Sequence, residues 1–168
     1  RTALEATGGD LVQSLVRVNS VIYKNVSERM ADGRNLTLAL LRYHAGRVQL
    51  AGQHESVIVV RADGSVEEID TLPLGINVGL LGEVDDMMSE MSFAFLPGDL
   101  MVLYTDGVTE AERPDKQQYG VSRLKDSVTS RRALPCDQIV QGVFTDIYRW
   151  IGGGTVYDDI TLVLVRRT

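Results

Sequence analysis

Three aspartates mark where this sequence could do chemistry. Asp106 follows the apolar run Leu100 to Tyr104, LMVLY, within Thr105-Asp106-Gly107. Asp158 and Asp159 precede a second apolar run, LVLV, from Leu162 to Val165. The first run reads as a strand buried on both faces, and the Asp-Gly after it as a turn. A carboxylate is thereby delivered at the end of a rigid strand, a fixed position suited to a metal ligand or an acid/base group. Taken alone, the tripeptide also reads as a plain turn closing a core strand. The second pair strengthens the chemical reading, because adjacent aspartates repel each other unless water or a cation neutralises them. Magnesium and manganese favour carboxylate and water oxygens, with one or two carboxylates per ion. If the two strands are neighbours, the end of one beside the start of the other, Asp106 and Asp158 converge on one ion.

The elements that must position them can be read in chain order. Residues from Asp10 to Met30 place Leu11, Leu15, Val18, Ile22 and Val26 on one face of an amphipathic helix, with Asp10 as N-cap. Asn19 and Ser20 fall mid-helix and weaken that pattern, and the helix is expected to end near Ala31-Asp32-Gly33. Strands are expected over Leu36 to Tyr43 and Arg47 to Ala51, joined by His44-Ala45-Gly46, and over Ser56 to Arg61 and Ser65 to Ile69, joined by Ala62-Asp63-Gly64. Together they suggest an antiparallel meander preceded by one helix, an α+β arrangement. Gly52-Gln53-His54-Glu55 lies between the second and third strands, either as a polar loop or with His54 near a phosphate or metal.

Thr71 to Glu90 is irregular. Its Met87 and Met88, with Met91, either fill a core gap or form an adaptable contact surface, and Asp85-Asp86 reads as a solvated pair. Ser92 to Leu96 is a further strand that turns at Pro97-Gly98-Asp99 into the central one. Val108 to Tyr119 reads as an exposed connection. Helices are expected over Val121 to Val128 and Ile139 to Ile151. Gly152 to Gly154 follow a helix, the wrong order for a phosphate cradle, and read as a C-cap and linker.

Bulk properties bound the function classes. A chain of 168 residues, 44% hydrophobic and 24% charged, suits one domain with a sizeable core. The net charge of −6 argues against nucleic acid as the main ligand. No apolar run approaches the roughly 18 residues that span a membrane, and no signal peptide is visible. Cys136, the single cysteine, fits a reducing cytoplasm and reads as an incidental loop residue. The chain starts with Arg, so a piece of a longer polypeptide is expected.

LPGDLMVLYTDGVTEAERPDKQQYG, followed later by DDITLVLVRR, resembles the C-terminal part of the metal-dependent protein phosphatase 2C superfamily. The likeness is strongest to the bacterial branch typified by stage II sporulation protein E and the sigma-factor regulatory phosphatases. It extends upstream through Leu72-Pro73-Leu74-Gly75 and the segment from Ala51 to Glu55. The resemblance implies a layered α-β-β-α sandwich of antiparallel sheets flanked by helices, lacking its N-terminal strands, with residues 1–168 forming one domain. It implies hydrolysis of phosphoserine or phosphothreonine through a water activated by two Mn²⁺ or Mg²⁺ ions. Asp106 and Asp158 are the implied metal ligands, with Gly107, Asp159 and His54 adjacent to the site. The family's N-terminal acidic motif and its Asp-x-x-Gly-His-Gly segment have no counterpart here, so the metal site is expected to be incomplete and this chain alone inactive or weak. A phosphorylated regulatory protein such as an anti-sigma-factor antagonist is the implied substrate, and a fused N-terminal sensory or receiver domain is consistent with the start. Unpaired sheet edges raise an expectation of self-association as a homodimer. The competing expectation is a catalytically inactive phosphatase-like module that binds a partner.

Overall fold

The computed structural model describes residues 9–29 and 35–168, with side chains described for 9–25 and 35–168. In chain order the elements are helix α1 (Leu11–Arg29), strands β1 (Leu40–His44), β2 (Arg47–Ala51), β3 (Val57–Val60), β4 (Val66–Ile69), β5 (Glu90–Ala94) and β6 (Leu100–Tyr104), helices α2 (Asp106–Thr109), α3 (Gly120–Ser130) and α4 (Cys136–Ile151), and strand β7 (Leu162–Arg166). Packing divides them into two compact units, one made of Arg1–His54 with Asp70–Phe95, the other of Glu55–Ile69 with Leu96–Thr168.

The first unit is built on α1 and the antiparallel sheet β1-β2-β5. Asp10 caps the helix, its carboxylate accepting the Gln13 amide at 2.8 Å. Leu11 and Leu15 pack with Ala51, Val78, Val84 and Met88. Val26 and the expected helix end at residues 31–33 lie outside the described side chains. Asn19, the residue that weakens the helical pattern, is fully buried. Its amide nitrogen donates to the Leu81 carbonyl at 2.9 Å and its oxygen accepts the Gly79 amide at 2.8 Å. A long irregular loop thus borrows its polar partners from the middle of a helix.

The expected meander is broken into two sheets. β1 and β2 pair across Ala45 and Gly46, both at positive φ, as a tight hairpin turn of the primed kind requires. Beyond β2, however, Gly52 takes φ +83°, where a Cβ would lie 2.3 Å from the Leu38 carbonyl oxygen. The chain turns away there, and β2 takes β5 as its second neighbour instead of β3. Residues 37–39, expected as strand, are outside β1, and Leu36 instead bridges to Val78. Of the methionines, Met88 is buried in the unit's core, the first role considered, and Met87 is exposed.

The second unit holds the antiparallel sheet β4-β3-β6-β7, with β6 central. The near-continuous burial of β6 matches its apolar run, as expected for a strand covered on its faces. β7, at the edge, alternates instead, with Val163 and Val165 exposed. The core joins Ile58, Val60, Leu100, Val102 and Tyr104 of the sheet to Leu124 and Val128 of α3 and to Ile139, Val143, Ile147 and Ile151 of α4. Those α4 positions recur every four residues, the spacing of one helix face. Two expectations need correction. The segment from Val108 to Tyr119 is no plain exposed connection, because Val108, Ala111 and Tyr119 anchor it in this core. Cys136 is no loop residue, since it opens α4 and packs, half-buried, against the same core.

Candidate functional site

The pairing of β6 with β7 brings the two acidic segments together. The strands run antiparallel with Tyr104 opposite Leu162, so the end of β6 lies beside the start of β7. The ladder continues one step further, the Thr105 amide donating to the Thr161 carbonyl at 3.2 Å. The Thr105 hydroxyl then works twice, donating to the Asp159 carbonyl at 2.8 Å and accepting the Thr161 amide at 3.0 Å. Asp106 opens α2, a single helical turn, in place of the simple turn read from Asp-Gly.

Gly107 lies beneath the second segment. A Cβ at this position would stand 2.5 Å from the Asp159 carbonyl oxygen, so only hydrogen fits between the two backbones. Asp106 and Asp158 are both exposed. Each turns one oxygen inward: Asp106 Oδ1 accepts the Gly107 amide at 2.8 Å, and Asp158 Oδ1 accepts the Asp159 amide at 2.7 Å. The second oxygen of each remains available. Asp159 contributes through its backbone, its carbonyl held by Thr105 and its amide by Asp158.

His54 belongs to the first unit. Its Nδ1 lies 3.0 Å from the Thr37 hydroxyl, and its amide donates to the buried Thr71 hydroxyl at 2.9 Å. Thr71 in turn donates to the His54 carbonyl. The structure therefore gathers Asp106, Gly107, Asp158 and Asp159 into one unit and ties His54 into the other.

Beside the carboxylates opens a cleft of about 230 Å³, lined among others by Gly107, Glu110, Lys116, Ile151, Tyr157 and Asp158. One wall is a small hairpin, bridged at Glu112 and Gln118. Lys116, on its turn at φ +68°, donates to Glu112 at 3.0 Å and lies 5.0 Å from the centre of the Tyr157 ring. The Glu112 carboxylate, with the Tyr157 phenol, holds the Lys116 ammonium above the ordinary lysine range. Beneath the carboxylate segments, burial pushes the Tyr104 phenol up, while its hydrogen bond with Ser56 at 2.8 Å opposes the shift.

The donors fit magnesium or manganese in kind: exposed carboxylates, hard oxygens, on the segments that adjoin paired strands. They do not fill a cage in number, since among the described residues no three His, Cys, Asp or Glu side chains converge. Sequence reasoning missed Thr105 and Lys116. A threonine directly before a helix-opening aspartate was a signal for the first, because such a hydroxyl ordinarily caps the helix. Nothing local marks the second.

Comparison with known proteins agrees with this geometry. The family model for stage II sporulation protein E (SpoIIE) matches residues 1–168. Protein IcfG of Synechocystis is 27% identical over 114 residues, which make up 68% of this chain and 17% of IcfG. The chain therefore spans about a sixth of that relative. Among solved structures, the SiaA-PP2C domain of Pseudomonas aeruginosa superposes with a TM-score of 0.82 at 19% identity, over 99% of this chain and 65% of that one. The phosphatase domain of SpoIIE from Bacillus subtilis, presoaked with manganese, gives 0.61 at 21% identity, over 98% of this chain and 68% of that one. Mixed helix and antiparallel sheet in this order is the fold of PP2C-type phosphatase domains. With the whole chain matched and the aspartate segments set side by side, the protein belongs to the stage II sporulation protein E family.

Proposed function

We propose that this chain is the metal-site-bearing part of a protein serine/threonine phosphatase that acts on a phosphorylated regulatory protein. The observation that carries the reading is the β6–β7 pairing, which sets Asp106 and Asp158 on adjoining segments joined through Thr105. Asp106 and Asp158 would hold divalent ions, Mn²⁺ or Mg²⁺, through the oxygens that the neighbouring amides leave available. Bound divalent ions supply an attacking water of lowered pKa and offset the charge of the phosphate. The chain's own residues give the site its form. Gly107 lets the two backbones approach, and Thr105 fixes the Asp159 carbonyl. The cleft beside Asp158 admits a polypeptide side chain. Kinship with SpoIIE supports a regulatory phosphoprotein, such as an anti-sigma-factor antagonist, as the substrate.

A second reading, a phosphatase-like module that binds partners without catalysis, draws on one observation. Two carboxylates alone are a sparse set for ions that demand near-ideal coordination. Manganese-dependent hydrolysis of a phosphoseryl peptide by the native polypeptide separates the two. Under the first reading Asp106→Asn and Asp158→Asn each lower the rate by about a thousandfold, about 4 kcal/mol. Absence of both hydrolysis and manganese binding in the unmodified protein would establish the second.

A further inference from the structure

We infer that Thr105 is a positioning residue for the metal site, its hydroxyl holding the Asp158–Asp159 segment in register with Asp106. The inference rests on the metal-site reading above. Thr105 stands at the N-cap position of α2, where a threonine hydroxyl ordinarily accepts one of the helix's own unpaired amides. Here it makes no such bond. The hydroxyl is directed across to the other segment instead, donating to the Asp159 carbonyl at 2.8 Å and accepting the Thr161 amide at 3.0 Å. One oxygen atom therefore uses both its donor and its acceptor capacity on the two residues that flank Ile160.

The diverted hydroxyl adds a polar restraint to a segment otherwise held by Ile160, packed against the core, by the Thr105 amide on the Thr161 carbonyl and by the contact of Tyr157 with Lys116. From Gly152 to Thr161 the chain has no helix or strand, and Tyr157, Asp158 and Asp159 are all exposed. Gly107 sets the closest approach by contact, a steric limit that stops the segment moving inward but does nothing to keep it from moving outward. Thr105 supplies the opposing restraint. Repulsion and hydrogen bond together fix the distance between the carboxylate segments. Partners of this kind, which orient metal ligands without touching the ion, typically change metal affinity or activity by about 10–100-fold when removed.

Thr105→Val is the test, since valine keeps the shape and loses both hydrogen bonds. The Thr105 backbone amide and the five-pair β6–β7 ladder are retained, so the fold is expected to persist. Manganese affinity of the native polypeptide is measured by calorimetry or by the electron paramagnetic resonance of free Mn²⁺. Melting temperature and the kcat and KM for a phosphoseryl peptide are measured alongside. The expected result is a 10–100-fold loss of manganese affinity in Thr105→Val with a fall of only a few degrees in melting temperature, a fall in kcat at saturating peptide, and recovery in Thr105→Ser. Thr105→Ala serves as a second variant lacking the hydroxyl. Wild-type manganese affinity in both Thr105→Val and Thr105→Ala, beside its loss in Asp158→Asn, would overturn the inference and leave the metal site standing. Wild-type affinity in Asp106→Asn and Asp158→Asn would overturn the metal site and the inference with it.

Discussion

β6 carries an aspartate near each end, and the two have opposite fates. Asp99, just before the strand, is 2% exposed. It accepts hydrogen bonds from the Leu96 amide at 2.8 Å, the Ala62 amide at 3.1 Å and the Arg61 guanidinium at 2.8 Å. Burial pushes its carboxyl up, but those bonds outweigh burial and hold it below the usual carboxylate range. Asp106, just after the strand, is exposed, and its carboxylate takes a single hydrogen bond, from its neighbour's amide. The same residue type on the same strand is saturated at one end and left with coordination capacity at the other. A carboxylate whose acceptors are all spent can only stabilise the fold, whereas one held rigidly with an oxygen to spare can take a ligand.

That contrast can be broken by substitution. The largest expected effect is on catalysis: Asp106→Asn should cost about a thousandfold in manganese-dependent hydrolysis. It should change unfolding free energy by no more than about 0.5 kcal/mol, as for an ordinary surface change. Asp99→Ala should do the reverse, lowering unfolding free energy by about 3 kcal/mol in urea titration. That is the low end for breaking a buried pair, because Arg61 retains Glu67. Gly107→Ala should cost about 2 kcal/mol, since the new methyl meets a backbone carbonyl that Thr105 prevents from retreating. It should also weaken manganese binding, which Asp99→Ala in its folded fraction should not. The smallest effect is on the pH profile. Because the folded Asp99 carboxyl lies below its unfolded value, its contribution is complete above about pH 4 and declines as pH falls through the folded value. Unfolding free energy measured from pH 6 down to pH 2.5 should therefore fall less steeply in Asp99→Asn than in the wild type.

The sequence discloses one end of this contrast more readily than the other. The run from Leu100 to Tyr104, ending in an aspartate, announces a buried strand that delivers a carboxylate, because burial on both faces leaves no polar alternation. The face of α4 is as plain, since its buried residues keep helical spacing. Asp99, in a Pro-Gly-Asp turn, has no local mark of its burial, because its partners Arg61 and Ala62 lie in the turn between β3 and β4, 38 and 37 positions earlier. The division into two sheets was hidden for a related reason. Alternation identifies a strand, but the choice between β3 and β5 as the neighbour of β2 depends on a backbone approach at Gly52 that only the folded chain reveals. Asn19 read as a flaw in a helix because its two partners are some sixty residues away.

The wall of the cleft has one further property. Trp150, the only tryptophan of the chain, donates its indole N–H to the Gln117 carbonyl at 3.1 Å, from beneath the hairpin that carries Lys116. The Arg123 guanidinium stacks on its ring at 4.0 Å and that of Arg113 lies at 5.0 Å. Two positive charges and a hydrogen bond therefore contribute to the electric field on the indole. Any shift of the hairpin alters that field and with it the wavelength and yield of emission. Tryptophan emission should therefore follow movement of the hairpin that forms one wall of the candidate cleft, although Trp150 itself lies behind that wall.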